Sequence, residues 1–236
     1  MLSVIVFIAF TIHSVTGFAS MITALSLGAW FFPLEEIRPA LVLLSMLLNL
    51  YFVIRSWSEI DRSVLLQSIF PFMGFGTLVG FGVSGYVEGP LLRRMFGLFV
   101  ISVSLFELYR FGRGEDDEEQ GRVSWAWLMG AGIVHGIYAT GGPPLVFALA
   151  KARLEKSALR ATLCAVWSVF NLGLVGGFLW RRELDSEAAI LAASLVPVCF
   201  LAILCGSWLH TKLNGRYFRL GVLCLLAVTA VGLVIR

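Results

Sequence analysis

The sequence predicts an all-α, polytopic membrane protein made of two homologous, inverted repeats, each with four apolar segments of which the first is broken. Three observations predict it. The 236-residue chain is 58% hydrophobic and 14% charged, more apolar than a soluble domain of this size could cover. Apolar runs near or above the ~18–20 residues needed to cross a bilayer recur from end to end. Scarce residue types also recur at fixed spacing. His13 and His135, Arg38 and Arg160, and Asn49 and Asn171 are each 122 residues apart. After a four-residue insertion the register continues at 126, pairing Pro71 with Pro197, Gly80 with Gly206, Gly89 with Gly215, Arg93 with Arg219 and Arg110 with Arg236.

The apolar segments are 1–32, 37–54, 63–86 and 90–111 in the first repeat, and 124–150, 158–180, 187–210 and 214–235 in the second. This divides the chain into a membrane repeat over 1–111, an acidic linker over 112–123 and a second membrane repeat over 124–236. The linker carries the one dense charge run, Glu115 to Glu119, between Arg113 and Arg122, and reads as solvated. The N-terminus is apolar from Leu2 with no basic stretch before it, so a cleaved signal peptide is not expected. Six tryptophans (Trp30, Trp57, Trp125, Trp127, Trp180 and Trp208) fall at segment ends, where an interfacial belt would hold them, and Trp167 alone falls mid-segment. Cys164, Cys199, Cys205 and Cys224 lie in apolar segments without a C-x-x-C pair and read as small core residues.

The fifth segment is not one helix. Thr140-Gly141-Gly142-Pro143-Pro144 interrupts it, because two prolines remove consecutive donors and the residue before a proline avoids helical geometry. The segment predicts two half-helices of ~14 residues, about 20 Å each, with the second starting at Pro143. Thr16-Gly17-Phe18-Ala19-Ser20 carries a weaker break in the first repeat. If both broken segments cross the membrane, the loops split Lys and Arg ten against eight. If both are re-entrant, the split is twelve against six, which fits the positive-inside rule better. That arrangement inverts the repeats, puts the linker in the cytoplasm and puts both termini outside.

A glycine-proline break at membrane depth is tolerated where it lines a polar cavity, and it turns a helix N-terminus toward the bilayer middle. Gly141 and Gly142 would let a ligand approach the backbone, with Pro143 opening the half-helix and Thr140, Ser20 and Thr23 offering hydroxyls. His13, His135, Asn49 and Asn171 can donate to an oxyanion; the alternatives are that the Asn pair only joins helices and that the His pair makes purely structural hydrogen bonds. Arg38 reads as snorkelling to headgroups and Arg160 as an electrostatic gate for an anion. His210, at a segment end, reads as interfacial. No Asp or Glu falls mid-membrane, which argues against a carboxylate relay or cation site.

Gly141-Gly142-Pro143-Pro144-Leu145, followed by Arg160-Ala161-Thr162 and Asn171, resembles the TauE/SafE family of sulfite and organosulfonate exporters. The resemblance covers essentially the whole chain and is strongest across 130–180. It implies a multi-pass plasma (inner) membrane transporter of small sulfur-containing anions. The first repeat departs from the family pattern, with Ser20 and Met21 where the glycine and proline would stand. A duplicated unit with paired polar residues in its apolar interior is the pattern of a secondary transporter working by alternating access, and the resemblance implies that it exports. The partners expected are a small anionic substrate and the lipid bilayer, with no nucleic acid, no metal and no cofactor, and a homodimer is allowed. A passive anion channel shares these features; saturable counterflow would separate the two. A membrane redox protein with b-type haem on His13 and His135 is also physically allowed, and an absorption spectrum would reveal it. The apolar segments hold no nucleophile elbow and no Ser–His–acid set, so no enzyme is expected.

Overall fold

The computed structural model describes residues 1–16, 19–87, 89–113, 123–149, 152, 154–212 and 215–235. Every described element is a helix. In chain order they are α1 Leu2–Thr16, α2 Ser20–Gly28, α3 Leu34–Arg55, α4 Arg62–Ser84, α5 Gly89–Arg113, α6 Trp125–Tyr138, α7 Gly142–Leu149, α8 Lys156–Trp180, α9 Ser186–Lys212 and α10 Gly215–Ile235. A 3-10 turn, Trp57–Glu59, joins α3 to α4. Among the described residues, α3, α4, α8 and α9 contain stretches long and apolar enough to cross a membrane. Most of the acidic linker, the side chain of His210 and two residues of the first break, 17 and 18, lie outside the described residues.

The helix boundaries follow the repeat. The ends Thr16 and Tyr138, the starts Ser20 and Gly142, and the starts Leu34 and Lys156 are each 122 residues apart, and Gly89 and Gly215 are 126 apart. Part of the four-residue insertion is taken up by α8, which runs three residues past the equivalent of Arg55.

Local chemistry accounts for the ends. Asp61 and Asp185 cap α4 and α9, their carboxylates accepting from the N–H groups of Val64 at 2.9 Å and Ala188 at 2.8 Å. Glu35 and Glu36 in the first turn of α3 and Arg55 in its last turn match the helix dipole. α4 contains a π-helical stretch, Leu65–Ile69, just before Pro71. That widening accommodates a ring that would otherwise press on the preceding turn.

Two compact units form, and each takes segments from both halves of the sequence. One comprises Met1–Leu44, Glu88–Asp116 and Asp185–Arg236; the other comprises Ser45–Val87 and Asp117–Leu184. In the first, α1 packs on α9, and α5 on α10. In the second, α4 packs along α6, and α7 folds against α6. The α4–α6 contact is made by glycine. Gly76 and Gly80 on α4 and Gly132 and Gly136 on α6 each lie against the other helix's backbone, with no space for a Cβ. This is the small-xxx-small arrangement that lets membrane helices touch along their main chains. The equivalent pair in the first unit is looser: Gly206 on α9 meets Ser14 and the Thr11 carbonyl, and the Thr11 hydroxyl donates to the Ala202 carbonyl at 3.5 Å.

Side-chain placement matches a membrane setting. The six segment-end tryptophans are 38–81% exposed, while Trp167 is 6% exposed. Arg38 is a correction: it is 4% exposed, buried in protein and not snorkelling outward.

Candidate anion site at the helix break

The second repeat breaks where its glycines and prolines predict. α6 ends at Tyr138, and Ala139 adopts the left-handed conformation (φ 57°, ψ 27°) with its N–H bonded to the His135 carbonyl at 2.6 Å. A non-glycine residue there costs about 1–2 kcal/mol, so the surrounding packing must hold this turn in place. α7 then starts at Gly142, one residue earlier than the sequence reading, with Pro143 and Pro144 in its first turn. The Leu145 N–H already bonds the Gly141 carbonyl at 3.2 Å. The two prolines have no N–H, so Gly142 carries the remaining first-turn donor of α7. The first break takes a different form. α2 starts at Ser20 with no proline, and the Thr23 N–H bonds the Ala19 carbonyl at 3.2 Å.

Gly141 is used for packing. A Cβ there would collide with the Ala131 carbonyl of α6 and stand 3.0 Å from the His135 Cβ. That side of Gly141 is filled by protein.

The equivalent histidines have unlike surroundings. His13 is buried, and its Nδ1 shares a 2.9 Å hydrogen bond with the Ser20 hydroxyl. The position equivalent to Ser20 is Gly142, which has no side chain to offer. His135 is fully buried, and neither ring nitrogen has a hydrogen-bond partner among the described residues. Its ring lies 5.3 Å from that of Trp167, tilted 30°, and 6.1 Å from the edge-on ring of Phe170. Thr140 is buried with its hydroxyl unpartnered, and so is the Trp167 indole N–H. Thr23, buried in the other unit, also lacks a hydroxyl partner.

The asparagines form a separate cluster. The Asn49 amide donates to the Ser45 carbonyl at 2.7 Å and to its hydroxyl at 3.2 Å, and the Asn171 amide donates to the same hydroxyl at 3.3 Å. Their Oδ1 atoms stay unpartnered. The arrangement matches helix joining, the alternative reading of the pair, with Ser45 tying the second half of α3 to α8. Arg160, in the second turn of α8, lies 4.8 Å over the Phe52 ring and is half-buried. It stands two turns, about 10 Å, from Trp167 along the same helix, and so outside the His135 cluster. Pro143 and Gly142 are buried at the start of α7.

The sequence reading missed Ser45 and Trp167. A serine in an apolar helix carries no pattern that marks it, whereas Trp167 was marked as the tryptophan away from a segment end.

The family model described as Sulfite exporter TauE/SafE matches residues 2–233. A similar protein is the probable sulfite/organosulfonate exporter TauE of Cupriavidus necator, 29% identical over 75 residues, which are 32% of this chain and 29% of that protein. The aligned stretch thus spans less than a third of that relative's length. No solved structure matches the chain.

Proposed function

The chain belongs to the sulfite exporter TauE/SafE family, and from that premise we propose that it is a secondary transporter that exports small anions, sulfite or organosulfonates, by alternating access. The observation that carries the site is a set of buried polar atoms without partners at the α6–α7 break: both nitrogens of His135 and the Thr140 hydroxyl. Leaving such groups unpaired in an apolar interior is costly, and an oxyanion would accept from the Thr140 hydroxyl and from one ring N–H of His135. The α7 N-terminus adds a partial positive charge and the Gly142 N–H. The site is placed in the second repeat, because in the first the Ser20 hydroxyl already engages Nδ1 of His13.

The recurrence of helix boundaries at 122 and 126 residues supports the duplication, and the twelve-to-six charge split supports its inversion. On this reading cysteines placed at Glu59 and Glu183, in the equivalent loops of the two repeats, react with membrane-impermeant reagents from opposite faces, Glu59 from the cytoplasm. Labelling of both from one face would remove the inverted arrangement.

The binding test is pH dependence. The side chains recorded around His135 are Trp167 and Phe170, beside Gly141, and none of them titrates near neutrality. A bound anion is then the charge that makes an imidazolium affordable in a low-dielectric setting, so anion binding takes up a proton. Affinity for methanesulfonate, which keeps its single charge across this range, rises as pH falls from about 7.5 to 6, and His135→Gln loses most of that slope. Titrations of purified protein that gave parallel curves for the two proteins would end the coupling. In liposomes the same protein gives saturable counterflow; a flux linear in concentration would make it a channel.

A further inference from the structure

Trp167 holds a polar group that packing does not require. It lies eleven residues into α8, 6% exposed, with its ring against His135 and its indole N–H without an acceptor among the described residues. Buried tryptophans ordinarily find a partner for that N–H. A phenyl ring would give His135 the same kind of aromatic wall without the cost of an orphan donor. The first repeat has Ser45 at the equivalent position, and its hydroxyl is already engaged with Asn49 and Asn171. The donor is therefore particular to the second repeat, where the ring nitrogens of His135 and the Thr140 hydroxyl are also unpartnered.

Resting on the proposed anion site, we infer that the Trp167 indole N–H donates to one oxygen of the bound anion and so selects headgroups with three terminal oxygens over planar carboxylates. Indole N–H only donates, so the position accepts nothing but an acceptor atom of the ligand. The Thr140 hydroxyl and a ring N–H of His135 supply two more donors, and the three come from different places: α8, α6 and the α6–α7 link. A pyramidal sulfite or a tetrahedral sulfonate offers each donor an oxygen of its own. A carboxylate has two oxygens in one plane and leaves one of the three unsatisfied, a mismatch that discriminates strongly in a dry site.

The test uses the full-length protein in detergent with methanesulfonate, sulfite and acetate as probes. Trp167→Phe keeps the ring on His135 and removes only the donor. Its Kd for methanesulfonate and sulfite rises about 10- to 100-fold, the usual effect of losing a hydrogen bond to a charged group. Its Kd for acetate changes little, and the preference for sulfonate over acetate collapses. The ligand-free melting temperature stays level or rises, because an unsatisfied buried donor is gone. Replacing Trp167 by 3-benzothienylalanine, which exchanges N–H for sulfur in a ring of the same shape, repeats the measurement without a packing change and gives the same loss. A sulfonate Kd within twofold of wild type in either variant overturns the inference, as does a lowered melting temperature with the preference intact. Wild-type protein that binds acetate as well as methanesulfonate overturns the inference alone; wild-type protein that binds none of the three overturns the anion site with it.

Discussion

Gly132→Val is expected to prevent the second unit from forming. A Cβ at Gly132 would collide with the Met73 carbonyl, 2.8 Å from the Thr77 nitrogen and 3.0 Å from the carbonyl carbon of Gly76. All three are main-chain atoms of α4, so no side chain can rotate away; the helices themselves must separate. Gly76, Gly80 and Gly136 sit in the same seam, and separation at one point strips dispersion contacts along its length. Overpacking a core typically costs about 1–3 kcal/mol and sometimes more, and this position lies at the upper end because the obstruction is backbone. The variant should elute as aggregate from size exclusion in detergent, or melt many degrees below wild type. Gly130→Val serves as control, since nothing lies within 4 Å of its added Cβ and it should behave as wild type. A Gly132→Val protein that melts with wild type would show that the seam tolerates separation.

The seam was written in the sequence as Gly76-x-x-x-Gly80 and Gly132-x-x-x-Gly136, yet neither motif names its partner helix, and only the fold pairs them. What the sequence showed well was punctuation. Gly141-Gly142-Pro143-Pro144 forbids a continuous helix on local grounds, so the break at Tyr138 to Gly142 was legible to within a residue. The first break has no proline and was visible chiefly through its alignment with the second. Burial was harder to read than punctuation. Arg38 follows two glutamates near the start of α3, where an arginine ordinarily reaches for headgroups, and its burial arises from tertiary packing that periodicity does not encode. The same limit applies to the asparagines: their 122-residue spacing marked them as related, but not that a single serine, Ser45, would engage both amides. Trp167 was legible only as an exception to the interfacial belt, and only the fold places its ring beside His135.

Gly142→Val is expected to abolish transport in a protein that still folds and inserts. Gly142 opens α7, and the prolines behind it leave its N–H as the remaining first-turn donor of that helix. No main-chain bond of α7 depends on the glycine, so the helix forms in the variant. Two changes then act at the site. The branched side chain fills the space where an anion meets the helix end, and it shields the N–H that would bind the anion. Loss of one charge-assisted hydrogen bond alone weakens binding about 10- to 100-fold, and the steric block adds to that. Proteoliposomes with Gly142→Val should therefore show no counterflow above protein-free liposomes, while the melting temperature stays near wild type. Ser20→Val at the equivalent position supplies the comparison. There a side chain already occupies the place and engages His13 at 2.9 Å, so the substitution lowers stability and leaves transport largely intact. Full transport by Gly142→Val would make the break a structural kink, and an equal loss from both variants would assign the anion to both halves of the chain instead of the second alone.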